Sequence, residues 1–360
     1  MKIVTLIGTR PEFIRLSRII PLLDKYSNHT LIHTGQNYDY NLNDIFFKNL
    51  KIRKPNIFLG TKGSFGKQLS ILFNKLEKNL IKIKPDRFLV LGDTNSSLGA
   101  IIAKRLSIPV FHMEAGNRQY NDIVPEEVNR RIIDHSSDIL MPYTHRSCEN
   151  LVKEGIDRKQ IYITGNPIYE VMNFYKDKII SSNILNRLKI KKKDFFLVTC
   201  HRQENVDDII KFKEIIGLLN EIAKTTKKKI IWPTHPRSRI KLKTLKLKIN
   251  KLVKIINPLD FFEFSKLEKD CYCIITDSGT VQEEASILKK PNIIIRDATE
   301  RPETIESGSS IIIGSSKNNL RKRLKICEDL VNLEDDIIDY LTPNVSSKII
   351  KILFSKYDFD

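Results

Sequence analysis

What is missing narrows the field first. The chain has no uninterrupted apolar stretch of the ~18 residues that a membrane-spanning helix takes, so no membrane segment is expected. Its opening, MKIVTLIGTRPE, carries an apolar run too short for a secretory signal and passes directly into a strand–loop–helix pattern. Cysteine is sparse and odd in number: the five are Cys148, Cys200, Cys271, Cys273 and Cys327. Their spacing matches no zinc site, which predicts reduced thiols in a cytoplasmic protein. Cys271 and Cys273 fall in a strand-like run where packing accounts for them. The GTRPE turn lacks the Gly-x-Gly-x-x-Gly pattern of a dinucleotide site.

Acidic residues are outnumbered, 43 against 61 Lys plus Arg, for a net charge of +18. Such an excess raises the possibility of nucleic acid or a membrane surface as partner. The lysines argue for solvated faces instead, because KIRKP, KIKKK, KTTKKK and KLKTLKLKINK are spread over the chain and interleaved with Ile and Asn. The aromatic residues that would stack on bases are not interleaved with them. No nucleic-acid partner is expected; the excess charge would help attract a diphosphate.

Against these absences stands a repeated pattern. With 360 residues and 41% hydrophobic content, the chain can form two cored domains. Buried-strand runs cover 2–8, 29–35, 88–93, 108–116, 138–143 and 161–165, with helices predicted over 13–26 and after LGD. The pattern restarts at 194–201, 228–236, 254–259, 271–279 and 291–297. Near-continuous β-branched runs predict strands covered on both faces, hence two doubly wound parallel sheets. The lysine-rich stretch within 168–193 reads as the connection, which places the domains at 1–168 and 169–344, with a last helix within 345–360.

Charged residues gather where such sheets bind ligands, just past the strand ends: Arg10, Asp93, Glu114, His201, His235, Asp277 and Arg296. Their joint placement predicts an active site between the domains. In TDSGTVQEEA (276–285), Ser278 and Gly279 form a turn into a helix whose free N–H groups suit an anion, and a glutamate one turn in suits two ribose hydroxyls. An ordinary capped helix would look the same. GTRPE offers Arg10 to phosphate oxygens, with Pro11 suited to a first helical turn. CHRQEN and PTHPR place His201, Arg202, His235 and Arg237 at two more strand ends, with no metal-ligand spacing. Asp93, Glu114 and Glu126 suit proton transfer at carbon, since crowding would set their proton affinities apart. The competing reading is an ion-pair network with Arg118, Arg130 and Arg131.

GTRPE, HTGQNYD, LGDTNS, HMEAGNR, PEEVNRRIIDH, TGNP, CHRQEN, PTHPR, TDSGTVQEEA and RDATERPE occur in that order. The set resembles the non-hydrolysing UDP-N-acetylglucosamine 2-epimerases from residue 3 to about residue 314. That resemblance implies a GT-B fold of two Rossmann-like domains, a UDP-sugar in the cleft, a homodimer, no cofactor and no obligatory metal. It also implies that a C2 proton is removed as the C1–O bond to UDP breaks, and that UDP then re-adds to a 2-acetamidoglucal. By similarity Asp93, Glu114 and Glu126 would move protons, and His201 and Arg10 would serve the diphosphate. Ser278 and Gly279 would hold phosphate, Glu284 the ribose, and Arg301 and Glu303 would contact ligand.

Two departures stand out. Asn37 occupies the place after TGQ where many members carry His, in a region that binds an activating second UDP-sugar. That segment, EFIRLSR and Phe46-Phe47 resemble a branch that forms UDP-N-acetyl-L-fucosamine from the L-talo epimer. A GT-B glycosyltransferase, which needs an acceptor groove, and a hydrolysing epimerase, which releases UDP, are the competing activities.

Overall fold

The computed structural model describes residues 1–36, 47, 49–234, 236–316, 318–330 and 335–359. Asn37 and Phe46 lie outside them. The chain divides into two compact units, Met1–Phe174 with Ile338–Asp360, and Tyr175–Ile337.

The first unit holds β1 (Lys2–Ile7), β2 (Asn28–His33), β3 (Ile57–Phe58), β4 (Arg87–Leu91), β5 (Val110–Met113) and β6 (Ile139–Met141). They form one parallel sheet in the order β3-β2-β1-β4-β5-β6. All five residues of β4 are buried, which is why the four that follow Arg87 are apolar without alternation. Val4, Leu6, Phe88 and Val90 pack with Leu72, Leu76 and Leu80 from the helix Phe65–Ile83.

The second unit repeats the plan with β7 (Phe195–Thr199), β8 (Lys229–Pro233), β9 (Val253–Ile256), β10 (Cys273–Thr276), β11 (Asn292–Ile294) and β12 (Ser310–Ile312). Their order is β12-β11-β10-β7-β8-β9, again all parallel. Trp232, Phe212 and Phe196 centre its core. In each unit the first strand lies beside the fourth, so the direction of winding reverses between β1 and β4 and between β7 and β10. Loops leaving the two strands then diverge to opposite faces and open a crevice at their carboxyl ends. This is the two-domain α/β architecture expected from the alternating runs.

Three local expectations are corrected. The helix predicted over 13–26 is two helices, Arg10–Leu16 and Ile20–Tyr26. Pro21 has no N–H to continue the first helix but fits the opening turn of the second. The run at 161–165 is no full strand; it keeps one bridge, Leu140 to Ile161. After LGD the chain forms a tight 3-10 turn, Asn95–Gly99, before the helix Ala100–Arg105.

The last helix, Val345–Phe354, packs with Pro167–Phe174 and Ile20–Tyr26 in the first unit. Glu170 accepts the Ser346 amide at 2.7 Å there. No helix among the described residues is long and apolar enough to cross a membrane. All five cysteines are free thiols.

Candidate active site

Six of the seven charged residues read from the sequence follow directly on strands: Arg10 after β1, Asp93 after β4, Glu114 after β5, His201 after β7, Asp277 after β10 and Arg296 after β11. His235 lies outside the described residues, and Arg237 is placed by its backbone as the second residue of the helix Pro236–Thr244.

In the first unit the carboxylates divide by partner. Glu114 leaves β5 at φ +65, a left-handed conformation uncommon for a glutamate. It pairs with Arg15, and both side chains are nearly buried. Arg15 also lies 5.4 Å from the centre of the Tyr143 ring. On the neighbouring strand Gly92 turns with φ +73 and delivers Asp93. Arg130 donates from Nε to Asp93 Oδ2 at 2.8 Å, and Asn129 donates to the Asp93 carbonyl at 2.9 Å. Glu126 is half-buried in the first turn of Pro125–His135.

The remaining charges of this corner hold it together. Glu127 is fully buried and accepts the amides of Gln119 at 3.0 Å and Tyr120 at 2.9 Å, and Arg130 at 2.7 Å. It ties the 117–124 loop to the helix that carries Glu126. Asp134 faces His112 Nδ1 at 2.8 Å and Arg118 at 2.8 Å, while His112 Nε2 meets the Gly92 carbonyl at 3.0 Å. Burial alone would raise the Asp134 acid; His112 and Arg118 outweigh it and hold the group below its ordinary value. The ion-pair reading is thus correct for part of the set. Arg118 serves Asp134 and Glu154, and Arg131 serves Asp122 at 2.9 Å. Arg130 bridges the structural Glu127 and the exposed-side Asp93.

Two residues here escaped the sequence reading. Arg15 was hidden because its role depends on β5 lying two strands from β1. Glu12 stands in GTRPE, where the sequence motif alone gives it no task. Its carboxyl takes the Gly8 amide at 2.5 Å and the hydroxyls of Thr9 and Thr94 at 3.0 Å each, joining the loops after β1 and β4. Burial pushes it up to about 7, against the lowering pull of those donors. The Thr9-x-x-Glu12 capping box was its legible signal.

In the second unit Asp277 organises the loop after β7. Fully buried, it accepts the backbone amides of His201 and Arg202, each at 2.9 Å, and the Asn205 side chain at 3.1 Å. The His201 imidazole stays 42% exposed, with Nδ1 3.4 Å from Asp277. Ser278 caps and Gly279 begins the helix Gly279–Ile287, at the crevice between β10 and β7. A methyl on Gly279 would lie 2.5 Å from Glu300 Oε1, so only glycine leaves the helix start open. Glu300 itself is buried between Arg202 at 2.9 Å and Arg296 at 2.5 Å. Arg296 is therefore an internal strut. Arg301 is buried and bonded to Glu283, the sealed neighbour of Glu284. Glu284 keeps 7% exposure, and Glu303 is half-buried at the start of Glu303–Glu306. Among the described residues, no cluster of three His, Cys, Asp or Glu could hold a metal ion.

A family model described as UDP-N-acetylglucosamine 2-epimerase matches residues 23–354. The UDP-N-acetylglucosamine 2-epimerase of Methanocaldococcus jannaschii is 43% identical over 339 residues, covering 91% of this chain and 92% of that protein. The UDP-2,3-diacetamido-2,3-dideoxy-D-glucuronate 2-epimerase of Pseudomonas aeruginosa is 36% identical, covering 88% and 90%. The crystal structure of the Methanocaldococcus jannaschii enzyme with UDP-GlcNAc and UDP has a TM-score of 0.93 at 40% identity, covering 98% of this chain and 99% of that one. This chain belongs to the UDP-N-acetylglucosamine 2-epimerase family.

Proposed function

We propose that the protein interconverts UDP-N-acetylglucosamine and UDP-N-acetylmannosamine without net hydrolysis. One observation carries the reading: Asp93 and Glu114 leave adjacent parallel strands, β4 and β5, each held by its own arginine. Paired carboxylates of this kind suit removal of a proton from one face of a carbon and its return to the other.

A base takes the C2 proton as the C1–O bond to UDP breaks, which leaves a C1=C2 double bond in a 2-acetamidoglucal. UDP then re-attacks C1, and a proton returns to C2 on the opposite face. The C2 proton is weakly acidic, so stabilising the departing diphosphate shares the work. Asp93, Glu114 and Glu126 are assigned to proton transfer. Arg10 and His201 are assigned to the diphosphate, the Ser278-Gly279 helix start to phosphate, and Glu284 to the ribose. His235, Arg237, Arg301 and Glu303 are further ligand contacts in this scheme.

The family's sugar is not uniform, as the Pseudomonas aeruginosa relative's name indicates. Proton NMR in D2O with UDP-N-acetylglucosamine tests the assignment. Deuterium at C2 together with the manno epimer is the expected result. Exchange only with UDP-N-acetyl-L-fucosamine would move the protein to the 6-deoxy branch, and accumulating free UDP would mean hydrolysis.

A cytoplasmic homodimer accompanies this reading. The five free thiols support the compartment, and the exposed apolar side chains of Tyr120, Ile123, Val128 and Ile132 support self-association. Light scattering at a mass near twice the 41.8 kDa chain is expected; the monomer mass would overturn it.

A further inference from the structure

Behind Glu284 lies a carboxyl that no donor reaches. Glu268, on the helix Phe261–Asp270, is completely buried, and neither of its side-chain oxygens meets a hydrogen-bond donor. Of the two lysines on its own helix, Lys266 pairs with Asp270 at 3.0 Å and Lys269 reaches neither Glu268 oxygen. The Cys271 thiol donates to the Glu268 main-chain carbonyl, not to its carboxyl. Leu267 of this helix shares one apolar core with Val281 and Ala285 of the helix Gly279–Ile287, and that packing sets the Glu268 carboxyl against the carboxyl of Glu284.

Two carboxylates are acceptors only and cannot bond to each other. Contact between them requires that one be an acid, and the site with less access to water keeps the proton. Glu268 has no exposure and Glu284 has 7%, at the helix that follows β10. The charge therefore belongs on Glu284, and the proton on Glu268.

We propose that Glu268 is a positioning residue: as a neutral acid it donates one hydrogen bond to Glu284 and fixes the direction in which the remaining lone pairs of Glu284 meet the two ribose hydroxyls. This rests on the reading of Glu284 as the ribose ligand. Burial first, and the Glu284 carboxylate second, push the Glu268 acid well above the ordinary carboxyl value, which favours the protonated, donating form. Losing that bond leaves the Glu284 carboxylate less well oriented before ligand arrives, a cost that falls on binding and not on the chemical step.

The test compares calorimetric affinity for UDP and for 2′,3′-dideoxy-UDP, which lacks the ribose hydroxyls. Glu268→Gln keeps a donor of the same shape and should bind UDP within about twofold of the wild type. Glu268→Leu removes the donor and should bind UDP roughly tenfold more weakly while binding the dideoxy analogue unchanged. Its KM for the UDP-sugar should rise by a similar factor with kcat preserved. Wild-type UDP affinity in Glu268→Leu, with ribose discrimination lost in Glu284→Gln, would overturn the proposal and leave the ribose assignment standing. Full discrimination in Glu284→Gln would overturn the ribose assignment itself. If Glu268→Leu does not fold, infrared spectroscopy of protein with 13C-labelled glutamate decides. A protonated-carboxyl band at pH 8 that disappears in Glu268→Gln is expected, and its absence from the wild type would sink the idea.

Discussion

Arg130 reaches Asp93 with its Nε at 2.8 Å and Glu127 with its Nη1 at 2.7 Å, so one guanidinium joins a carboxylate 27% open to solvent to one that is sealed. The sealed partner fixes the arginine, and the fixed arginine orients the open carboxylate. Arg130→Met should therefore do two things. Leaving Glu127 with only the longer, 3.6 Å approach of the half-exposed Arg131 should lower unfolding stability by about 3 kcal/mol, as breaking a buried pair does. Releasing Asp93 should also cut turnover. Urea denaturation and initial rates check both, and unchanged stability would show that Arg131 and the backbone amides of 119 and 120 suffice to hold Glu127.

Asp93→Asn, Glu114→Gln and Glu126→Gln should each lose turnover by about a hundredfold or more, the usual scale for a positioned acid or base. Each should fold normally and retain UDP, because the nucleotide contacts assigned above lie at other residues. Wild-type rates in all three would remove the carboxylates from the mechanism.

Glu12 couples stability to pH. Its folded acid titrates at about 7 against an ordinary value of 4.5. Between those values the folded state binds more protons than the unfolded state, so stability falls as pH rises from about 4.5 through 7 and levels off above. The loss is of order 3 kcal/mol. Glu12→Gln keeps the shape and cannot ionise, since the Thr9 and Thr94 hydroxyls can turn to accept its amide. Denaturation midpoints from pH 4.5 to 8 should slope downward in the wild type and lose most of that slope in the variant.

Gly8→Ala should be destabilising by about 2 kcal/mol. The added methyl would sit 1.9 Å from Ser96 Oγ and 2.5 Å from Thr34 Oγ1, two hydroxyls that bond each other at 2.7 Å. Thermal unfolding measures it. A neutral result would mean that the loops after β1, β2 and β4 shift apart without cost.

Much of the fold was legible along the chain because strands buried on both faces must be apolar throughout. VTLI, FLVL, FFLV and CIIT all declare themselves this way. The helix division at Pro21 is also written locally, inside a longer apolar pattern that runs through both helices. β3, only Ile57–Phe58, was not legible: two residues carry no period, and their strand character comes from pairing with β2.

Residue type and strand-end position are one-dimensional facts, and they were enough to single out Arg10, Asp93, Glu114, His201, Ser278 and Gly279. Partnership is not one-dimensional. Arg15 and Glu114 are 99 positions apart, and Arg130 and Asp93 are 37 apart. Which carboxylate is sealed and which is open follows from packing against elements distant in sequence. Asp134 and Glu127 read much like Glu126 in PEEVNRRIIDH, yet the helix turns the first two inward to His112, Arg118 and the 119–120 amides. The kinds of chemistry available, and the loops that carry them, follow from the order of residues along the chain. Each group's partner and degree of burial come from the three-dimensional packing, because desolvation and hydrogen bonding depend on what surrounds a side chain in space.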